Sequence, residues 1–318
     1  MSIVGKLLGK TGSLRSLTRP FRKKARHLVR FRLARMKRAR IGAEIVAITG
    51  SSGKSTATRL ISRFLQTRFA TREQAYQNTI SACTQAILDA TPTDEYLVIE
   101  TGASVPGSVV EMAGLMKPKV AVVTMVNVEH RSAFKTIENV TKEKGALVEA
   151  VAEGGFAVLN ADDENAIAMA ERTKQRIVTF GHVNDADYRV VELGLGDSGT
   201  MELAIRSAHG THRLSTKLMG IHFWPSVAAA FAVAVENGIA PETIAETLKD
   251  IETGYNRCQP YEIENGPTFI IDTVKAPLAT LPKAFEVIRP LRAPRKRIVL
   301  GMLADHPGDS NTAYKKAY

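Results

Sequence analysis

Ile45-Val46-Ala47-Ile48-Thr49-Gly50-Ser51-Ser52-Gly53-Lys54-Ser55-Thr56-Ala57-Thr58-Arg59 is the stretch that decides the fold. Four apolar residues, Ile45 to Ile48, read as a short buried strand. A glycine-bounded turn follows from Thr49 to Gly53, and Lys54, Ser55 and Thr56 open a helical segment. Glycines let a backbone turn tightly enough for its N–H groups to face an anion. The helix N-terminus adds partial positive charge at the same place. In a strand, phosphate loop and helix of this kind, Lys54 reaches the β- and γ-phosphates and the Ser55 hydroxyl ligates Mg²⁺. The strict G-x-x-x-x-G-K-[ST] pattern is not met, because Ile48 stands where its first glycine would be. The duller reading of the same residues is a plain glycine-rich turn.

Outward from this stretch, apolar runs alternate with helical patterns. Strands are predicted at 45–48, 96–100, 120–126, 156–159 and 176–180, a rhythm that gives a mostly parallel sheet covered by helices. Residues 188–219 alternate as antiparallel strands do, around Gly194, Gly196, Gly199 and Gly210. Residues 224–250 read as helical with a break at Gly238 to Pro241. Strands at 268–272 and 297–301, around a helix at 277–289, would begin a second α/β domain. The expected fold is therefore α/β: a phosphate-loop sheet flanked by helices, then an incomplete Rossmann-like domain. The expected domains are 1–41, 42–254 and 255–318.

A chain of 318 residues with 44% hydrophobic residues buries a sizeable core. Two cysteines, Cys83 and Cys258, make neither a disulfide framework nor a zinc site, which fits a reducing, cytoplasmic compartment. No apolar run reaches the ~18 residues of a transmembrane helix. The charge is uneven. Residues 1–41 hold 14 Lys or Arg and no Asp or Glu, so with a total of +11 the rest of the chain sums to −3. From Pro20 onward, Phe21, Ala25, Leu28, Val29, Leu33 and Met36 fall on one side at helical spacing. Three readings of this leader stay open: a basic amphipathic helix on an anionic membrane surface or partner, a solvated arm, or a nucleic-acid binder. Few aromatic residues are available to stack bases, which makes nucleic acid the least favoured.

The shorter motif Thr-Gly-x-x-Gly-Lys-[Ser/Thr]-Thr resembles that of the Mur ligase family, ADP-forming amide ligases. Further segments carry the resemblance. Tyr96-Leu97-Val98-Ile99-Glu100-Thr101-Gly102-Ala103 resembles the family's strand ending in a magnesium-linked glutamate. Asn127-Val128-Glu129-His130 is similar to its Asn-x-x-x-Ala-His segment, with Glu129 in place of Ala and one residue fewer. Phe134 and Lys144 have the spacing from His130 of the family's carbamylated lysine region. Asn160-Ala161-Asp162-Asp163 and Phe180-Gly181 match two later turns. Tyr255-Asn256-Arg257 resembles the interdomain arginine position, and Asp272-Thr273-Val274-Lys275-Ala276-Pro277 a nucleotide-contacting loop. Val299-Leu300-Gly301-Met302 resembles the next strand, without its usual Asp. Within the family, the body motifs look nearest to the branch that adds D-alanyl-D-alanine. The start of the chain, with about 45 residues before the loop, is closer to poly-γ-glutamate and folylpolyglutamate synthetases.

The resemblance implies the following site. Thr49, Gly50, Ser51, Ser52, Gly53, Lys54, Ser55 and Thr56 bind ATP, with Asn160, Arg257, Asp272 and Lys275 as further contacts. Ser55, Glu100, His130 and Lys144 serve Mg²⁺, the lysine through a carbamate, and Lys54, His130 and Lys144 are the catalytic candidates. The implied reaction joins a carboxylate, on a small molecule or peptide, to an amine or amino acid through an acyl phosphate. Each residue also has an ordinary reading: Glu100 as a surface carboxylate, His130 as a satisfied histidine, Lys144 or its neighbour Lys142 on a solvated helix face, Asp162 and Asp163 as helix caps. The alternative for the whole chain is an ATP-binding protein of weak activity, acting at a membrane surface or with a partner.

Overall fold

A computed structural model describes residues 11–127, 131–196, 198–274, 281–303 and 309–317. The chain runs α1 (Thr11–Arg38), β1 (Glu44–Thr49), α2 (Lys54–Leu65), β2 (Thr71–Gln74), α3 (Ile80–Asp89), β3 (Tyr96–Glu100), α4 (Ser108–Met116) and β4 (Val120–Val123). It continues through α5 (Ile137–Glu149), β5 (Phe156–Asn160), β6 (Arg176–Gly181), β7 (Tyr188–Leu195), β8 (Thr200–Ser207) and β9 (Gly210–Met219). Next come α6 (Trp224–Glu236), α7 (Pro241–Lys249), β10 (Gln259–Glu262), β11 (Thr268–Ile271), α8 (Leu281–Ile288) and α9 (Ser310–Ala317).

β1 to β9 form one sheet in the order β2-β3-β1-β4-β5-β6-β7-β8-β9. It is parallel from β2 to β7 and antiparallel from β7 to β9. Alternate residues of each parallel strand serve opposite faces, as the pleat requires. Val46 and Ile48 join Val98, Val122 and Val158 under α2 and α6, whereas Ile45 and Ala47 join Leu97, Ile99, Ala121 and Ala157 under α3, α4 and α5. Because both faces are covered, these strands read as unbroken apolar runs. β1 lies between β3 and β4, so the chain leaves it in one direction and returns past it. That places a crevice at the carboxyl end of β1, where the glycine loop begins.

Three expectations are corrected. The run 120–126 ends as a strand at Val123, because the next backbone groups are directed elsewhere. Thr124 N–H donates to Thr49 O, Met125 O accepts from Ser51 N–H, and Val126 N–H donates to Asp163. Residues 297–301 form no strand, and Val299 is 96% exposed. The 268–271 strand pairs antiparallel with Gln259–Glu262 in a separate two-stranded sheet, and not with a strand at 297–301. An apolar run becomes a strand only where a neighbouring strand offers packing and hydrogen bonds. β2, which was not expected, is a polar edge strand, half-buried and paired with β3 alone.

The leader is a helix from Thr11, so Pro20 lies inside it. Its second half is seated on the body. Ala34 is fully buried with the α3 and α4 core residues, and Phe31 packs beside it. Arg30 donates to Gln85. Lys37 Nζ donates to Leu88 O at 2.6 Å and Arg38 Nε to Met116 O at 2.7 Å. The opposite side carries Leu28, Val29, Leu33 and Met36, each at least half exposed. Among the described residues no helix is long and apolar enough to cross a membrane.

Candidate active site

The loop after β1 is held in shape by its neighbours. Gly50 has φ +148°, and a Cβ there would lie 2.0 Å from Thr124 Oγ1. Gly53 has φ +80°, in the left-handed region, and its Cβ would lie 2.6 Å from Ser226 Oγ. Both positions therefore need glycine. Thr124 Oγ1 donates to Ser52 O at 2.6 Å, Ser226 Oγ donates to Gly53 O at 3.1 Å, and the Ser51 hydroxyl donates to Asn127 O at 2.8 Å. Gly53 is the N-cap of α2, so among the described residues no side chain caps the first amides of this 12-residue helix. Those amides are free for an anion.

Lys54 Nζ donates to Gly50 O at 2.7 Å and so lies folded across the loop. Ser55 Oγ donates to Glu100 Oε2 at 2.8 Å. Glu100 ends β3, is 2% exposed, and also accepts the backbone N–H of Tyr76 at 2.8 Å. Its reading as a surface carboxylate is therefore excluded. A serine hydroxyl and a buried carboxylate, side by side at a phosphate loop, are oxygen donors of the kind a hard cation such as Mg²⁺ takes.

Ser51 to Thr56, Glu100, Arg257 and Asp272 line one cleft of about 490 Å³. Thr49 is fully buried just beneath, at the end of β1. Arg257 enters from the segment after α7, and its buried Nε has no hydrogen-bond partner among the described residues. A guanidinium with an unfilled donor beside a phosphate loop suits an anionic ligand. Burial raises the Asp272 carboxyl. Burial, and then the nearby Asp272, push the Cys258 thiol up to about 12. His222, also in the cleft, is lowered to about 4 by burial and then by Lys283. A larger groove of about 1050 Å³, between β9, the β10–β11 pair and residues 288–299, contains none of the loop residues.

Other expected site residues stand elsewhere. Lys144, on α5, is fully buried, whereas Lys142 is exposed, so the solvated-face reading fits only Lys142. Asn160 is buried, and both ends of its amide are engaged: Nδ2 donates to Thr124 O at 2.9 Å and Oδ1 accepts from Asp162 N–H at 3.0 Å. It braces the strand that braces the loop and does not line the cleft. Asp163 caps the short helix at 164–167, as its ordinary reading has it. Asp162 instead accepts the backbone N–H of His182 and of Val183. His130 and Lys275 lie outside the described residues. Sequence reasoning missed Tyr76, Thr124, Ser226 and His222. Thr124 left a trace, as the first polar residue after an apolar strand. The others come into place only through the fold.

Residues 48–234 match the family model described as the Mur ligase middle domain. The UDP-N-acetylmuramoyl-tripeptide–D-alanyl-D-alanine ligase of Escherichia coli K12 is 25% identical over 285 residues, covering 89% of this chain and 63% of that protein. The UDP-N-acetylmuramate–L-alanine ligase of Arthrobacter sp. FB24 is 31% identical over 214 residues, 66% of this chain and 43% of that protein. The MurF ligase of Thermotoga maritima in complex with ADP shares the fold at a TM-score of 0.75 and 22% identity, over 83% of this chain and 61% of that one. MurF from Acinetobacter baumannii shares it at 0.77 and 21%, over 84% and 58%. The chain thus spans less than two thirds of the length of these relatives.

Proposed function

The chain belongs to the Mur ligase family, and on that premise we propose that it is an ATP-dependent carboxylate–amine ligase working through an acyl phosphate. The observation that carries this reading is the junction of Ser55 and Glu100 at the open N-terminus of α2, faced by Arg257. Phosphoryl transfer to a carboxylate requires positioning and charge neutralisation more than acid–base chemistry. The amides after Gly53, with Lys54 and Arg257, orient and neutralise the nucleotide phosphates. Ser55 and Glu100 would hold Mg²⁺, which when bound neutralises charge on the transferred group. The substrate carboxylate attacks the γ-phosphorus, the bond to ADP breaks, and an amine then displaces phosphate from the acyl carbon. Lys144, and not the exposed Lys142, is the lysine of α5 enclosed by the protein, and it has the spacing of the family's carbamylated lysine. Carbamylation would join a deprotonated Nζ to carbon dioxide, forming an N–C bond and releasing one proton. By analogy with the relatives, a muramyl tripeptide and D-alanyl-D-alanine are the first pair to test, and glutamate-chain acceptors the second.

The test is ADP release with product mass. Purified protein, ATP and Mg²⁺ are combined with each carboxylate and amine pair. ADP formation that requires both substrates, with a product heavier by the amine less water, is expected. ATP binding with no substrate-dependent ADP for any pair would leave the ATP-binding-only reading.

We also propose that the protein works in the cytoplasm, peripherally on an anionic membrane surface. The specific observation is α1, whose basic length keeps Leu28, Val29, Leu33 and Met36 exposed. Co-sedimentation with anionic vesicles at low and high salt tests this, because an electrostatic attraction weakens as salt rises.

A further inference from the structure

Resting on that membrane reading, we infer that α1 is a fixed two-sided bracket, which sets how the body lies on an anionic bilayer. At about 100° per residue, Leu28, Val29, Leu33 and Met36 centre on one side of the helix, and Arg30, Phe31, Ala34, Lys37 and Arg38 centre about 155° away. The second group is the seated side. Ala34 is fully buried, and the three basic residues reach acceptors on α3 and at the end of α4. The first group is the free side. A detachable anchor would share one apolar face between body and bilayer. Here the two faces are separate, so the helix meets lipid without leaving the protein.

The occupant follows from charge. Residues 1–41 carry 14 cations and no acid, and Arg26 and Arg32 are exposed on or beside the free side. Arginine stems cover apolar surface while their heads stay among lipid phosphates. An apolar stripe with cationic flanks matches the headgroup and acyl boundary of an anionic bilayer. The geometry also fixes an orientation. α1 lies over α3 and α4, on one face of the sheet, and contacts residues near the ends of those helices. The glycine loop lies at the opposite, carboxyl ends of the strands. With α1 on the bilayer, the sheet lies flat above it and the cleft opens sideways, along the surface.

The experiment uses the full chain, whose single tryptophan, Trp224, belongs to α6 on the far face. A Leu33→Trp variant is mixed with vesicles of phosphatidylcholine and phosphatidylglycerol carrying brominated acyl chains. Quenching of the variant but not of the parent is expected, with backbone hydrogen exchange at 85–89 and 113–117 unchanged by vesicles. A variant with Leu28, Val29, Leu33 and Met36 all replaced by serine should bind at least about tenfold more weakly and keep its melting temperature. Absence of quenching would remove both the membrane reading and the bracket, whereas undiminished binding by the serine variant would leave the membrane reading and overturn the bracket. Quenching with faster exchange at 85–89 and 113–117 would show the helix leaving the body, which overturns the bracket alone. Quenching of Trp224 in the parent would place the far face on lipid and also overturn it.

Discussion

Ser55 Oγ and Glu100 Oε2 lie 2.8 Å apart, across 45 residues of sequence. The register of the parallel pair β1–β3 sets Ile48 beside Glu100, so the carboxylate stands at the level where the glycine loop departs. Tyr76 N–H holds the same oxygen, which leaves the carboxylate fixed from two sides.

Ser55→Ala and Glu100→Gln should therefore each raise the Mg²⁺ concentration needed for half-maximal ADP formation, by at least about tenfold. A Mg²⁺ titration of initial rates measures it. An unchanged midpoint in both variants would remove these residues from the metal site.

Lys54→Ala should abolish ATP turnover, a loss of about a hundredfold or more, with the circular dichroism spectrum unchanged. Among the described residues Lys54 Nζ donates to Gly50 O alone, and Lys54 is no part of the core. Normal phosphate release from a folded variant would count against the phosphate loop.

Lys144→Ala should lose activity that a short-chain carboxylic acid partly restores, by supplying the oxygen ligand of a carbamate. Lys142→Ala should be nearly silent, since that side chain is exposed. Rates with and without added acetate decide between them. A sensitive Lys142 would mean that the register along α5 has been misassigned.

The parallel half of the sheet was legible because its strands are buried on both faces, and Val46, Val98, Val120 and Val158 leave an unbroken apolar record. Lys54, Ser55, Glu100 and Arg257 were legible as motif positions, and the fold brings them to one cleft. Asn160 was legible as a position, but its bonds to Thr124 and Asp162 were not, because spacing does not display them. Residues 297–301 carry the composition of a strand. Pairing is a property of neighbours, and among the described residues none supplies it. The seat of α1 was hidden for a similar reason. Ala34 is a weak hydrophobic signal, and its partners lie on α3 and α4, far along the chain.

The chain without residues 1–24 serves as the reference. Removing 1–41 should cost roughly 2–4 kcal/mol, through the lost burial around Ala34 and the lost hydrogen bonds of Lys37 and Arg38. Urea unfolding of both truncations measures the difference. Equal midpoints would mean that the helix contributes nothing to the body.

His222 should make the protein acid-sensitive. The fold holds it neutral, at about 4, while the unfolded chain takes up a proton near 6.5. Its contribution is present above 6.5 and is lost as pH falls toward 4. His222→Asn should flatten the fall in urea midpoint between those values. An equally steep fall in the variant would assign the acid limb to other groups.

The seating of α1 also has an order in time. Lys37 and Arg38 find their acceptors 51 and 78 residues further along. At about 5–20 residues per second, a growing chain needs about 4–16 seconds to make the longer of these spans. For that interval the acceptors do not yet exist, and the body that will hold the helix is still being made. A nascent chain arrested before Met116 would therefore present both faces of the helix to a bilayer, and the finished protein only one.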